Sequence, residues 1–360
     1  ALPIWAAFVT SGDVTNPLVS TAWATLPDLQ AKIDAAADNA TITLDSNTEI
    51  AATLQITKNL TLDLNGCTLR MTGTGSVLKV SGRATLTITD SSAAKSGTIT
   101  GGNAEYGGGV YVDDYAALKM TGGCITGCHA SRGGGGIYSS GNLYMGGTAK
   151  IEKCTGSDDA IWNRENSDIY ADGGTVDGTV NNQGTIKRSE GAAAVTVFNG
   201  TVYNRSAGTI IAGIYNGTVE NNGTISGGTF CGGVTIRKGS WVWERTGSIS
   251  GGTFYSSIVN EAGPERVTGV TFAVTFDRGD GTKTEPTPVK YNDLVPKPTA
   301  PTKSGYTFTG WEDANGAYDF NTPVTGPLTL TARWEEVPSS GGYYYYPTTD
   351  TKADDAKGSP

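Results

Sequence analysis

The chain has 360 residues, of which 51 are glycine and only 17% are charged, a composition suited to turns and short strands and poor in the charged faces that long helices need. Its formal net charge of −9 disfavours nucleic acid or an anionic membrane surface as partner, because both select clusters of Lys and Arg. No run reaches the roughly 18 apolar residues of a spanning helix, so no membrane insertion is expected of this chain.

Residues 1–40 form a terminal segment that starts at Ala1 without Met, which fits a removed signal peptide, with any native anchor beyond Pro360. Within it, Leu26 to Asp38 reads as one amphipathic helix. Thr25 is its N-cap, Pro27 suits the first turn, and Leu29, Ile33 and Ala36 or Ala37 make the apolar stripe.

Residues 41–268 are governed by internal repetition. Aligning GGVYV (108–112), GGIYS (135–139) and DAIWN (159–163) brings Val110, Ile137 and Ile161 into register at steps of 27 and 24 residues. Leu118, Leu143 and Ile169 align next, then Met120, Met145 and Ala171, and a third series places Ile125 with Ile151 and Cys128 with Cys154. Apolar positions alternate within each copy, the period of strands with one buried face. Three short strands per copy cannot close a core alone, whereas stacked copies can, each coil adding about 4.8 Å by backbone pairing.

From about residue 175 the series becomes Asn-rich: TVNNQGTI, TVYNRSAGTI and TVENNGTI follow at steps of 22 and 17, and ISGGTF occurs at 225–230 and 249–254. These shorter, less apolar coils imply a narrowing cross-section, and Trp241-Val242-Trp243 suits a cover for that end. The helix of residues 26–38 is expected to cap the open backbone edge at the other end. The run LQAKIDAAADNATITLDSNTEI, followed by ITKNLTLDLNGCTL, resembles the entry of pectate-lyase-like right-handed parallel β-helix proteins of Gram-positive gut bacteria.

Residues 269–336 alternate Val/Phe and Tyr/Phe runs with Gly and Pro clusters, a pattern of four strands with Trp311 and Trp334 in the core. The stretch 274–334, with Phe276, Asp277, Tyr291, Gly305, Tyr306, Gly310, Trp311, Phe320 and Trp334, is similar to the Listeria-Bacteroides repeat, the internalin-B-type B-repeat. That resemblance implies a small β-grasp fold and residence on a bacterial surface, and it carries no catalytic residues. Residues 337–360 lack any period and are expected to form a disordered tail or linker. The expected fold class is therefore all-β: a right-handed parallel β-helix with an N-terminal capping helix, followed by a small β-grasp-like domain.

Candidate chemistry is sparse. Asp113-Asp114, Asp158-Asp159, the single histidine His129, and Arg132 are the types a polysaccharide hydrolase needs. The Asp pairs fall in turns, where Asp is favoured for its own backbone hydrogen bonds, so no catalytic residue and no enzyme activity is expected. Cys124, Cys128 and His129 lack the second half of a zinc site, and most of the five cysteines read as small buried apolar residues, with one disulfide as the alternative; no metal or cofactor is expected. Arg278-Gly279-Asp280 spells the integrin tripeptide, yet Gly and Asp are what its hairpin demands.

Alternation instead points Tyr111, Tyr138 and Trp162 outward on successive coils, with Tyr144 and Tyr170 on the neighbouring face beside Lys119. Such ladders stack on sugar rings or simply on one another. The expected role is an adhesin or host-interaction protein, secreted to the cell surface or wall of a Gram-positive bacterium, that binds host glycan, mucin or host protein. A β-helix polysaccharide lyase or glycoside hydrolase and a non-binding structural stalk are the alternatives.

Overall fold

In a computed structural model, residues 29–156, 159–239 and 246–338 are described. Thr25, Pro27, Asp158, the Trp241-Val242-Trp243 triplet and the tail from residue 339 lie outside them. Three parallel ladders of strands wind through ten coils among these residues, which makes the main body a parallel β-helix.

The first face runs from Ala40–Thr43 to Ser248–Ile249, the second from Thr48–Ile50 to Thr253–Phe254, and the third from Leu54–Ile56 to Ile258–Asn260. Each aligned series of the sequence is a true register. Leu118 pairs with Leu143 and Leu143 with Ile169; Ile125 pairs with Ile151; Val110 pairs with Ile137 and Ile137 with Ile161. All of these side chains are fully buried. Like sits above like because the coil spacing and the period of two leave no other way to keep one apolar face inside.

The helix observed is shorter than its pattern, Leu29–Ala35, with Leu29 and Ile33 buried. It covers the open edge of the third face by mimicking a strand. Gln55 N donates to Gln30 Oε1 at 2.7 Å, and Gln30 Nε2 donates to Gln55 O at 3.1 Å. Lys58 Nζ then donates to the carbonyls of Asp34 and Ala36, satisfying the end of the helix.

The core changes along the axis, and the change starts earlier than residue 175. On the third face the inward lane reads Ile56, Val80, Val112, then Ser139, then Asn163, Asn182, Asn204 and Asn221. These four asparagines are wholly buried and form a chain of amides: Asn163 Nδ2 to Asn182 Oδ1 at 2.8 Å, Asn182 Nδ2 to Asn204 Oδ1 at 2.8 Å, and Asn204 Nδ2 to Asn221 Oδ1 at 2.7 Å. Ser167 Oγ donates to Asn163 Oδ1 at one end and Ser248 O accepts from Asn221 at the other. Every amide is satisfied, the condition under which a buried polar network stabilises.

On the second face, aliphatic residues give way to a ring stack. Phe198, Tyr215, Phe230 and Phe254 lie with centroids 5.0, 4.9 and 4.7 Å apart and planes within 10°. The coil spacing sets that distance, and flat rings fill it without voids.

The second domain is a mixed sheet in the order Thr287–Lys290, Thr271–Asp277, Leu328–Glu336, Tyr306–Asp313, Gly316–Ala317, with Thr271–Asp277 and Leu328–Glu336 parallel at its centre. It has five strands rather than four, because Gly316–Ala317 folds back on Glu312 and Asp313. Trp311 is buried against Phe276, whereas Trp334 is only half-buried and donates Nε1 to Arg278 O at 2.9 Å. The Arg278-Gly279-Asp280 segment is a turn held by Asp277 on Gly279 N and Asp280 on Thr282 N. This domain closes the carboxy-terminal end of the solenoid: Phe272 meets Phe254 edge-on at 6.4 Å, and Ile258 N donates to Thr325 O at 2.7 Å.

Candidate ligand-binding face

The two predicted aromatic ladders fall in register but not in the same environment. Tyr111 pairs with Tyr138 and Tyr138 with Trp162, yet Tyr138 is only 7% exposed. Three short lateral strands, Asn103–Tyr106, His129–Gly133 and Thr155–Gly156, form a sheet of their own beside the third face. Tyr106 from this sheet lies 4.8 Å from Tyr138 and 6.4 Å, edge-on, from Trp162. A Cβ on Gly133 would sit 1.8 Å from the Trp162 ring, so glycine there lets the indole lie directly on the lateral backbone. The expected open ladder is thus a packed cluster with Tyr138 beneath it.

Tyr144 and Tyr170 differ. Their rings stack at 4.2 Å and 8°, with Lys119 over the outer side of Tyr144 at 5.4 Å and Lys187 over Tyr170 at 4.8 Å. Registers place Lys119, Tyr144, Tyr170 and Lys187 on four successive coils of the first face. Asp168 holds Lys187 at 2.6 Å and raises its pKa; burial and the Tyr170 neighbour raise that of Tyr144. Ring faces are thus filled by each other and by ammonium groups, so the column offers a row of hydrogen-bond donors rather than a flat platform.

The flat ring comes from a residue outside the repeats. The turn Ser140–Gly141 is short, while those of the adjacent coils, Asp113–Ala116 and Arg164–Ser167, are longer. A notch of about 480 Å³ opens between them, lined by Asp114, Tyr115, Ser140, Asn142, Arg164 and Glu165. Tyr115 is 81% exposed at φ 63°, a left-handed backbone that aims the ring outward, with Arg83 over it at 5.4 Å. Asn142 leads two residues on to Tyr144 along the same strand side, so notch and column form one continuous surface.

The remaining candidates are scattered. Asp113 pairs with Lys79 at 3.8 Å. Asp159 is 3% exposed and accepts from Asn181. His129 and Arg132 stand on the lateral sheet, where His129 Nδ1 meets Thr155 Oγ1 at 3.2 Å and Arg132 pairs with Glu105 at 2.9 Å. Among the described residues no group of three or more His, Cys, Asp or Glu side chains is placed to hold a metal ion.

Fold and surface together define a parallel β-helix that carries a polar, aromatic-lined face and ends in a small mixed-sheet domain. Residues 272–333 match the family model of the Listeria-Bacteroides repeat domain, a family typical of surface proteins. The chain is also similar to a protein named "Putative Gly-rich membrane protein" from Evansella cellulosilytica, at 34% identity over 68 residues. That match covers 18% of this chain and only 8% of the relative. Among the described residues no helix is long and apolar enough to cross a membrane.

Proposed function

We propose that the chain is an adhesin or host-interaction protein of the bacterial surface, and that its first face binds a glycan chain of host origin, free or carried on mucin or another host protein. The observation that supports this best is the continuity of the Tyr115 notch with the Lys119–Tyr144–Tyr170–Lys187 column. Sugar rings present one apolar face and many hydroxyls; an exposed tyrosine takes the former, and a file of ammonium, phenol and amide groups takes the latter. The repeat family and the Gly-rich relative favour a surface location, with secretion to the cell wall part of the same reading.

The face is read as binding rather than cleaving. Hydrolysis needs two carboxylates across one bond; Asp113 is engaged by Lys79 and Asp159 by Asn181, which leaves Asp114 and Glu165 at the notch as the pair that a lyase or hydrolase reading would have to use. A stalk with no ligand at all is the competing reading.

A glycan array and a host-protein pull-down on the full chain, with Tyr115→Ala and the double variant Tyr144→Ala/Tyr170→Ala alongside, test the proposal. Loss of the exposed Tyr115 ring should weaken a bound glycan about 5- to 150-fold, as stacking of about 1–3 kcal/mol implies, and loss of the two phenol donors of Tyr144 and Tyr170 should weaken it about fivefold or more, at about 1 kcal/mol for a hydrogen bond. Equal binding by the variants, or no ligand in either assay, defeats it. Shortened products from a polysaccharide panel would establish the lyase or hydrolase reading instead.

A further inference from the structure

Five cysteines are present, and only two of them occupy equivalent positions on adjacent coils. The strands Cys124–Thr126 and Lys150–Glu152 pair with Thr126 opposite Glu152, and Cys128 and Cys154 each follow two residues later. Thr155 N donates to Cys128 O at 2.8 Å, which locks the two backbones side by side. Both thiols turn the same way. Cys128 Sγ lies 3.6 Å from Thr126 O and 4.0 Å from Ile99 O; Cys154 Sγ lies 3.3 Å from Glu152 O and 3.6 Å from Ile125 O.

One coil spacing is about 4.8 Å, inside the roughly 4.4–6.8 Å that disulfide-linked Cα atoms span. The remaining cysteines are excluded by position. Cys124 is opposite Lys150 and alternates outward from buried Ile125, Cys67 precedes the second strand of an earlier coil, and Cys231 is exposed on a distant one.

We propose that Cys128 and Cys154 are a coil-to-coil thiol pair that closes to a disulfide by exchange with a small-molecule disulfide under extracellular conditions. Cys154 is half-buried and Cys128 is 1% exposed, which assigns their roles. The Cys154 thiolate attacks one sulfur of the incoming disulfide, forming a mixed disulfide and releasing one thiolate. Cys128 then attacks the Cys154 sulfur as its proton passes to the departing sulfur, forming the Cys128–Cys154 bond and releasing the second external group as a thiol. Two protein thiols are oxidised and one external disulfide is reduced to two thiols. The side-chain hydrogen bond between the pair fits this order: Cys128 keeps its proton, its pKa raised chiefly by that bond, and the same bond lowers the pKa of Cys154. Closure would tie together the coils from which the lateral strands His129–Gly133 and Thr155–Gly156 leave, beneath the Tyr106–Tyr138–Trp162 cluster.

The folded chain is incubated with oxidised glutathione, quenched, unfolded and alkylated, and its mass and peptides are read. The expected result is a fall from five alkylated cysteines to three, with Cys128 and Cys154 in one linked peptide pair. Cys128→Ser should instead hold glutathione on Cys154, leaving three alkylated sites and one adduct. Five alkylated sites after oxidation, a link through Cys124 or Cys231, or a stable glutathione adduct on Cys154 in the unmodified chain overturns the proposal.

Discussion

The amino-terminal and carboxy-terminal halves of the solenoid share one backbone ladder but solve the core problem differently. In the wide early coils, Leu60, Leu86, Leu118 and Leu143 stack as aliphatic side chains, adaptable in shape and free of polar atoms. In the late coils, where Val219 pairs with Val234 only fifteen residues on, little cross-section is left. There the interior is made of flat rings on one face and an amide chain on another. The narrow coils keep single aliphatic lanes, such as buried Ile210, Ile225 and Ile249 on the first face, while the rings and amides stack at the spacing the backbone already sets.

The largest effect should come from the ring stack. Phe230 is fully buried between Tyr215 and Phe254, so Phe230→Ala should cost about 3–5 kcal/mol, the range for a deleted core aromatic. Urea unfolding followed by far-UV circular dichroism measures it. If the late coils melt first while the early coils keep their hydrogen-exchange protection, the halves are separate cooperative units. Simultaneous loss of both would show a single unit and erase the energetic side of the comparison.

Asn204→Leu comes next. It removes the middle of the amide chain and leaves Asn221 Oδ1 without its ladder donor, which should cost about 1–3 kcal/mol. Leu matches the branching of Asn and is larger, so a neutral or stabilising result would mean that the narrow coils accept an ordinary apolar core and that the asparagines serve register rather than stability.

Acid should separate the halves further. The early coils rely on buried turn carboxylates: Asp90 accepts from Gly97 N at 2.6 Å and Gly66 N at 2.8 Å, and Asp63 from Ser91 N and Asn65 N. Burial alone would raise both pKa values, but the hydrogen bonds outweigh it and lower them. A lowered folded pKa contributes stability that is complete above the unfolded value of about 3.9 and is lost as pH falls through the folded one. Asparagine amides do not titrate in this range. Below about pH 4 the early coils should therefore lose exchange protection before the late ones, and Asp90→Asn should cost about 1 kcal/mol at neutral pH while flattening that acid dependence. Equal acid loss at both ends would place the sensitivity elsewhere.

The same contrast explains what could be read from the chain. Val110, Ile137 and Ile161 announce themselves because glycine pairs precede each copy and alternation does the rest. The amide lane was equally present: Val180 and Asn182 share parity, as do Val202 and Asn204, so alternation alone would have sent those asparagines inward. Polarity argued the other way and hid them. The lateral strands were invisible because His129-Ala130-Ser131-Arg132-Gly133 has no apolar period, and without them Tyr138 seemed exposed. Tyr115 could not be found by alignment, since it stands in a turn whose length differs from coil to coil. That irregularity is what opens the notch.

The smallest effect on stability should come from the column itself. Tyr144 stacks on Tyr170 but sits on the outer surface of the sheet, and a cross-strand aromatic pair is worth about 0.2–1 kcal/mol. Tyr144→Ala should therefore leave unfolding within about 1 kcal/mol of the parent and leave both halves of the solenoid intact by hydrogen exchange. Binding and stability then come apart at this residue. A ring kept only for packing would show its whole effect in the unfolding curve, whereas a ring kept for a ligand shows it in the glycan titration. Should Tyr144→Ala unfold the early coils as severely as Phe230→Ala unfolds the late ones, the outer column would count as core, and the proposed binding surface would shrink to the Tyr115 notch alone.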